Sequence, residues 1–306
     1  KLSGLIKFDK QFKDFSTSYS RLKGENFNIG GKINLHDLSI KIPNLNYSKK
    51  ENTKADVNFN INSSKFGYHI DRLLFSSGKS KIELEQVKLN KKLEIKDIKN
   101  IKVTTFNDNI KNNSFHIGKH ETLKNTIFII GELLDAEPLL KSLYKTNDKK
   151  TFSKDFNSEI KVNLDKTITG TDDNVSDFSM IASIKKGSYN KLSLKGNFSK
   201  NEIIEMSIYQ VDKNKRTLQV ISDRAKPFIK NFNFIKGFEG GKLEYESTIT
   251  KEGTKSNLLI TDFKVSKVPA LAKLLTLASL QGIADTLSGE GIRFDSFEMK
   301  SNSEGN

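Results

Sequence analysis

Apolar and polar residues alternate along most of the chain. Val57, Phe59 and Ile61 alternate with Asn58, Asn60 and Asn62, and Phe66, Tyr68 and Ile70 continue the same period. Phe178, Met180, Ala182 and Ile184 repeat it, and Leu243, Tyr245 and Ile249 share one face opposite Lys242, Glu244 and Glu246. A period of two places successive side chains on opposite faces of a strand, so each stretch predicts a strand with one apolar and one polar face. Slips of phase at Leu35 to Leu38 and Leu84 to Val87 predict bulges or turns. Gly30-Gly31, Ser77-Gly78, Asn90-Lys91, Gly170-Thr171, Lys186-Gly187 and Gly240-Gly241 read as turns that cut the chain into many short, mostly antiparallel strands.

Three segments break the alternation in the same way. TIFIIGELLDAEPLLKSLY (126–144), TLQVISDRAKPFIKNF (217–232) and NLLITDFKVSKVPALAKLL (257–275) each pass from an apolar strand through an acidic residue to Pro and an amphipathic run. Pro138, Pro227 and Pro269 suit the first turn of a helix, where the missing N–H costs little, and Asp135 and Asp223 are candidate N-caps. The last segment continues as PALAKLLTLASLQGIADTLSGEG (269–291). Leu271, Leu274, Leu275 and Ala278 fall on one side of a helical projection, and Leu280, Ile283, Ala284 and Leu287 nearly opposite. That opposition predicts two short helices with a bend at Ser279 to Gly282, and Lys273, Gln281 and Asp285 interrupt any membrane span.

Composition narrows the function classes. The 306 residues include 21 Phe but are only 35% hydrophobic, so any core is thin or confined to one face of each strand. Mean hydropathy is −0.52. The formal charge is +14, yet only Arg21, Arg72, Arg216, Arg224 and Arg293 are arginine. Dispersed Lys mixed with Asn describes a solvated face, whereas nucleic-acid readers lean on the Arg fork, so no nucleic-acid partner is expected. Attraction to anionic membrane surfaces fits the charge. Cys is absent, which excludes a disulfide framework and a thiolate zinc site. The chain begins at Lys1 without a signal peptide or an 18-residue apolar span, which suggests a piece of a longer protein.

Candidate chemistry is sparse. His116 and His120 have ligand-like spacing on a helix, but HIGKH lies in an alternating, Asn-rich stretch with no Cys partner. Gly78-Lys79-Ser80 echoes the end of a P-loop, yet the upstream Gly it requires would fall at Leu73. Gly289-Glu290-Gly291 follows a helix where a dinucleotide site needs a strand. Thr171-Asp172-Asp173 is a lone acidic turn. No paired carboxylates, no metal set and no cofactor are indicated, and the expectation is a protein that is not an enzyme. Many half-apolar strands and three short helical segments leave an apolar face that must close on itself or be covered by a partner or ligand. With about 15 to 18 strands some 4.8 Å apart, one sheet would extend on the order of 70 to 85 Å, a shape that suits a trough for acyl chains.

ITDFKVSKVPALAKLLTLASLQGIADTLSGEGIRFDSFEM (260–299) closely resembles the YhdP-type C-terminal region of the AsmA-like family of Gram-negative bacteria. There a strand with I-x-D-F leads to Pro, a Leu-rich helix pair and G-x-GI-x-F. SDRAKPFIKNFNFIKGFEGGKLEYESTI (222–249) resembles the segment of that family that enters a strand through I-x-GG-x-L, and GELLDAEPLLKSL (131–143) resembles its earlier helix. Asp223-Arg224-Ala225 departs from the usual Asp-Ala-Gly, and the first 125 residues fit only as generic β-repeat sequence. The resemblance implies a periplasmic protein anchored in the inner membrane by a segment outside this chain. Its implied role is non-enzymatic phospholipid transport between inner and outer membranes, with other envelope proteins as partners.

The combined expectation is a mainly β fold: an elongated, curled, mostly antiparallel sheet with an apolar groove and a few short amphipathic helices. Residues 1–148 form a β-repeat segment ending in a helix, and 149–306 the AsmA-like region with helices near 223–233 and 269–288. The groove candidates are Val57, Phe59, Ile61, Phe66, Tyr68, Phe178, Met180, Leu243, Tyr245, Leu274, Leu275, Leu280 and Ile283. The alternative is a structural β scaffold of the cell envelope with a closed protein core and no lipid cargo.

Overall fold

The computed structural model describes residues 2–8, 11–21, 26–120, 122–123, 125–142, 152–212, 215–229, 236–267 and 291–304. The expected fold class is the one observed: mainly β, built on one large, mostly antiparallel sheet that is not closed, with 17 strands among the described residues. Strands β1 (Leu2–Phe8), β2 (Gln11–Arg21) and β3 (Phe27–Asn34) begin it. A separate hairpin follows, β4 (Ile40–Ile42) and β5 (Tyr47–Lys49), joined through a 3-10 turn at Pro43–Leu45. The sheet resumes with β6 (Ala55–Ser64), β7 (Gly67–Ser77), β8 (Ser80–Leu89), β9 (Ile95–Asn107), β10 (Ile110–Lys119) and β11 (Thr126–Asp135). Helix α1 (Glu137–Ser142) leads toward β12 (Ser158–Ile168), β13 (Val175–Lys185), β14 (Ser188–Ser199), β15 (Glu202–Asp212) and β16 (Lys215–Ser222). Helix α2 (Lys226–Ile229) precedes β17 (Lys236–Ile249), β18 (Gly253–Lys267) and β19 (Ile292–Glu304).

Each strand of the large sheet pairs with its neighbour in sequence, β3 pairing directly with β6 across the small hairpin. Strands β1 and β19 stand at the two edges. One ladder is parallel, β11 with β12, and it joins the two sequence segments divided near residue 148 into a continuous sheet. A parallel pair needs a long crossover, which α1 and the residues after it provide.

Strand direction then decides where the insertions sit. Strands β3, β11, β16 and β18 all run toward the same end of the sheet, so the β4–β5 hairpin, α1 and α2 emerge there, and residues 268–290 connect β18 to β19 at that end. Pro43, Pro138 and Pro227 stand at this end. The opposite end carries mostly short turns, such as those between β6 and β7 and between β13 and β14.

Two expected turns lie inside strands. Gly30-Gly31 is in the middle of β3, where Gly31 faces Phe59 of β6, so the glycines make room across a ladder and no chain reversal occurs. Gly240-Gly241 lies within β17 at φ +70° and +81°, a distortion of the strand that L side chains resist. Asp262 of β18, with φ +55°, is close by in the neighbouring strand. The local twist changes which residues face inward: Ile260 and Phe263, three apart, are both buried in one cluster. Phe238, Phe263 and Phe294 therefore stack across β17, β18 and β19, with centroids 5.1 and 5.2 Å apart. The slip at Leu84 to Val87 is a backbone distortion inside β8, with Gln86 at φ +53° and the register to β7 unchanged on either side.

Candidate functional site

The ladders place apolar residues opposite one another from one side of the sheet to the other. Gly31 of β3 pairs with Phe59, Phe59 with Leu73 of β7, Leu73 with Leu84 of β8, and Leu84 with Ile101 of β9. Ile101 pairs with Ile117, Ile117 with Ile129, Ile129 with Val162 and Val162 with Met180, which carries the row through β10, β11, β12 and β13. Met180 pairs with Leu194, Leu194 with Met206, Met206 with Val220, Val220 with Tyr245, Tyr245 with Leu258 and Leu258 with Met299. Directly paired residues share a face, so the row is unbroken from β3 to the edge strand β19. One register step away the residues are mostly polar: Lys161, Asn163, Ser179, Ser193, Lys195, Glu205, Ser207, Gln219 and Glu246.

Three elements cover parts of the apolar face. The β4–β5 hairpin brings Leu38 and Tyr47 onto Ala55, Phe75, Ile82 and Val103. The returning crossover brings Phe156 onto Ile127, Ile160, Val162 and Ile184, with Phe152 stacked on Phe156 at 4.5 Å. Helix α2 brings Ala225 and Ile229 onto Val220, Leu243, Ile260 and Phe263. Outside these covers, Phe59, Ile61 and Leu73 of β6 and β7, and Leu194, Ile204 and Ile208 of β14 and β15, are half-buried and belong to none of the three clusters.

Polar anchors hold the covers in place. Lys49 is buried, and its ammonium donates to the carbonyls of His36 at 2.8 Å, Leu38 at 2.6 Å and Lys50 at 3.1 Å, which pins the hairpin. Asp135 is also buried; its Oδ1 accepts the Glu137 N–H at 3.1 Å, the role expected of it at the start of α1, and its Oδ2 accepts from Asn46 of the hairpin at 2.8 Å. Asp223 differs from expectation. Its carboxylate accepts the Ile203 N–H at 2.9 Å and lies 3.5 Å from Lys242, because the cross-strand amide is nearer than the first turn of α2. Arg224 ties α2 to the neighbouring turns, donating to Glu202 at 2.7 Å with Asp173 at 3.6 Å. That hydrogen bond holds the Glu202 carboxyl below its ordinary value and raises Arg224.

The structure places the expected groove residues unevenly. Phe59, Met180 and Tyr245 are members of the continuous row; Val57, Ile61, Phe178 and Leu243 stand in flanking rows of the same face. Tyr68 pairs with Leu89 near the turn end. Phe66 is a correction: it occupies the β6–β7 turn, is 71% exposed and has the Lys65 ammonium 4.9 Å from its ring. Alternation alone cannot separate the last strand residue from the first turn residue. Leu274, Leu275, Leu280 and Ile283 lie outside the described residues, as do the helices expected at 269–288 and residues 230–233 of the one expected near 223–233, of which Lys226–Ile229 is α2. Sequence reading passed over Leu73, Leu84, Ile101, Ile117, Leu194 and Met206, whose only signal was membership of an alternating run.

The histidines are separated in use. His116 Nε2 lies 2.6 Å from Asn100 Oδ1 on β9, and burial, with Lys102 nearby, lowers its pKa. His120 accepts the amides of Thr122 and Leu123 through Nδ1 in a loop. Among the described residues no group of three or more His, Cys, Asp or Glu is arranged to hold a metal, and no helix is long and apolar enough to cross a membrane. No protein-family model, curated protein or solved structure matches the chain.

Proposed function

We propose that the chain is a non-enzymatic carrier of phospholipid acyl chains, acting between the inner and outer membranes of a Gram-negative envelope as an AsmA-like protein. The observation that carries this reading is the unbroken apolar row from Gly31 to Met299 on an open sheet, covered in part by the hairpin, the crossover and α2 and outside those covers at Phe59, Leu73 and Leu194. Fourteen spacings of about 4.8 Å make such a row on the order of 65 Å long. Burying an acyl methylene contributes about 0.8 kcal/mol, so a surface that stays apolar along its length holds a chain without a dedicated pocket at each step.

The open sheet favours this reading over a scaffold with a closed protein core, since the half-buried residues outside the covers have no protein layer of their own among the described residues. The resemblance at 260–299 supplies the compartment, the inner-membrane anchor outside this chain and the envelope partners. Directionality cannot come from a uniform apolar surface and would require a gradient or a partner. Native mass spectrometry of the protein purified under mild conditions tests the reading: co-purifying phospholipid is expected, and a preparation that neither carries nor takes up phospholipid would overturn it.

A further inference from the structure

Arg216 sets a guanidinium on the apolar face. In β16 the inward residues Val220 and Leu218 are followed by Arg216, which pairs with Gln210 on one side and Ile249 on the other, at the end of the sheet opposite the proline insertions. Its side chain reaches over β15, and Nη1 donates to the Tyr189 carbonyl of β14 at 3.1 Å. An arginine has five N–H donors in a fixed fork, and this bond occupies one of them. Tyr189 is opposite the buried Ile184, on the same face, and is 42% exposed. Burial nonetheless pushes its phenol above the ordinary value. From there the half-buried residues Ile208, Ile204 and Leu194 lead away along the part of the face that none of the three covers occupies.

We infer that Arg216, positioned by the Tyr189 carbonyl, holds the phosphate of an anionic amphiphile whose acyl chain lies along Leu194, Ile204 and Ile208. The inference rests on the lipid-carrier reading and adds to it a headgroup class and a place. A guanidinium fork matches a phosphate through paired N–H donors, which an ammonium does not. A carrier with such a site loads phosphate-bearing lipids in preference to neutral ones at this end of the sheet.

The test compares two fluorescent diacyl analogues with identical chains, one a phosphatidic acid and one a diacylglycerol, titrated into the full chain. The wild type is expected to bind the phosphate-bearing analogue roughly 10-fold or more tightly, the range of a charge-assisted contact. Arg216→Gln should abolish that preference without changing affinity for the diacylglycerol, and Arg216→Lys should keep part of it. Inorganic phosphate alone should displace neither analogue at concentrations far above their own. The same ratio of affinities in wild type and Arg216→Gln, or in Arg216→Lys if the glutamine variant does not fold, would overturn the headgroup site and leave the carrier reading standing. Inorganic phosphate bound as tightly as the phosphatidic acid would show a free-anion site and also overturn it. Binding of neither analogue by the wild type would overturn the site and the carrier reading together.

Discussion

Phe263 lies nearly parallel to Phe294, with ring centroids 5.2 Å apart and planes 11° from parallel, and Phe238 completes the stack on the other side. The stack depends on Asp262 and Gly240-Gly241 adopting positive φ at the same level of the sheet, so that residues three apart both turn inward. It therefore joins pieces of all three motif fragments, I-T-D-F, G-G and G-I-R-F, at the point where β18 ends and β19 begins. Phe263→Ala is expected to lower stability by about 3–5 kcal/mol, the usual range for a buried Phe. Urea denaturation checks the value, and a loss below about 1 kcal/mol would show that the site collapses around the gap.

Phe59→Asp and Leu194→Asp each place a carboxylate in the row outside the covers, where the side chain still reaches water. Both variants should fold and show weaker uptake of phospholipid, with the loss growing when they are combined. Lipid extraction followed by mass spectrometry measures it. Undiminished loading of the double variant would argue that acyl chains do not follow the row.

Lys49 fastens the β4–β5 hairpin by three carbonyl contacts in a buried setting. Lys49→Met keeps most of the volume but removes every donor, and an unsatisfied buried polar group costs about 1–3 kcal/mol. Stability should fall by that order, with hydrogen exchange rising first across 35–54. Equal exchange in the two proteins would show that the hairpin is held by its apolar contacts alone.

Acid should loosen α2. The bond from Arg224 holds Glu202 below its ordinary value, so its contribution to stability is present above the ordinary Glu range and is lost as pH falls through the lower folded-state value. Arg224 is raised and stays charged throughout, so only the carboxylate titrates in this window. The melting temperature of Glu202→Gln should approach that of the wild type as pH drops below about 4.5, and lie below it at neutral pH. Parallel curves at every pH would contradict this coupling.

What the sequence by itself determined was the strand pattern, the one-sided apolar character and the punctuating Pro segments, because the pleat has a strict period of two and Pro a strict local geometry. Phe59, Met180 and Tyr245 were legible as inward residues for that reason. Phe66 misled because the period does not mark where a strand stops, and the glycine pairs 30–31 and 240–241 misled because Gly serves equally at a turn, a close approach or a bulge. Only the tertiary structure decided register, and register is what aligns fifteen separate inward residues, Gly31 through Met299, into one row. It also decided that one parallel ladder carries the hairpin, α1 and α2 to a single end, and that Arg216 crosses β15 to reach Tyr189. Those relationships join residues far apart in the chain, and no local period encodes which strand will lie beside which.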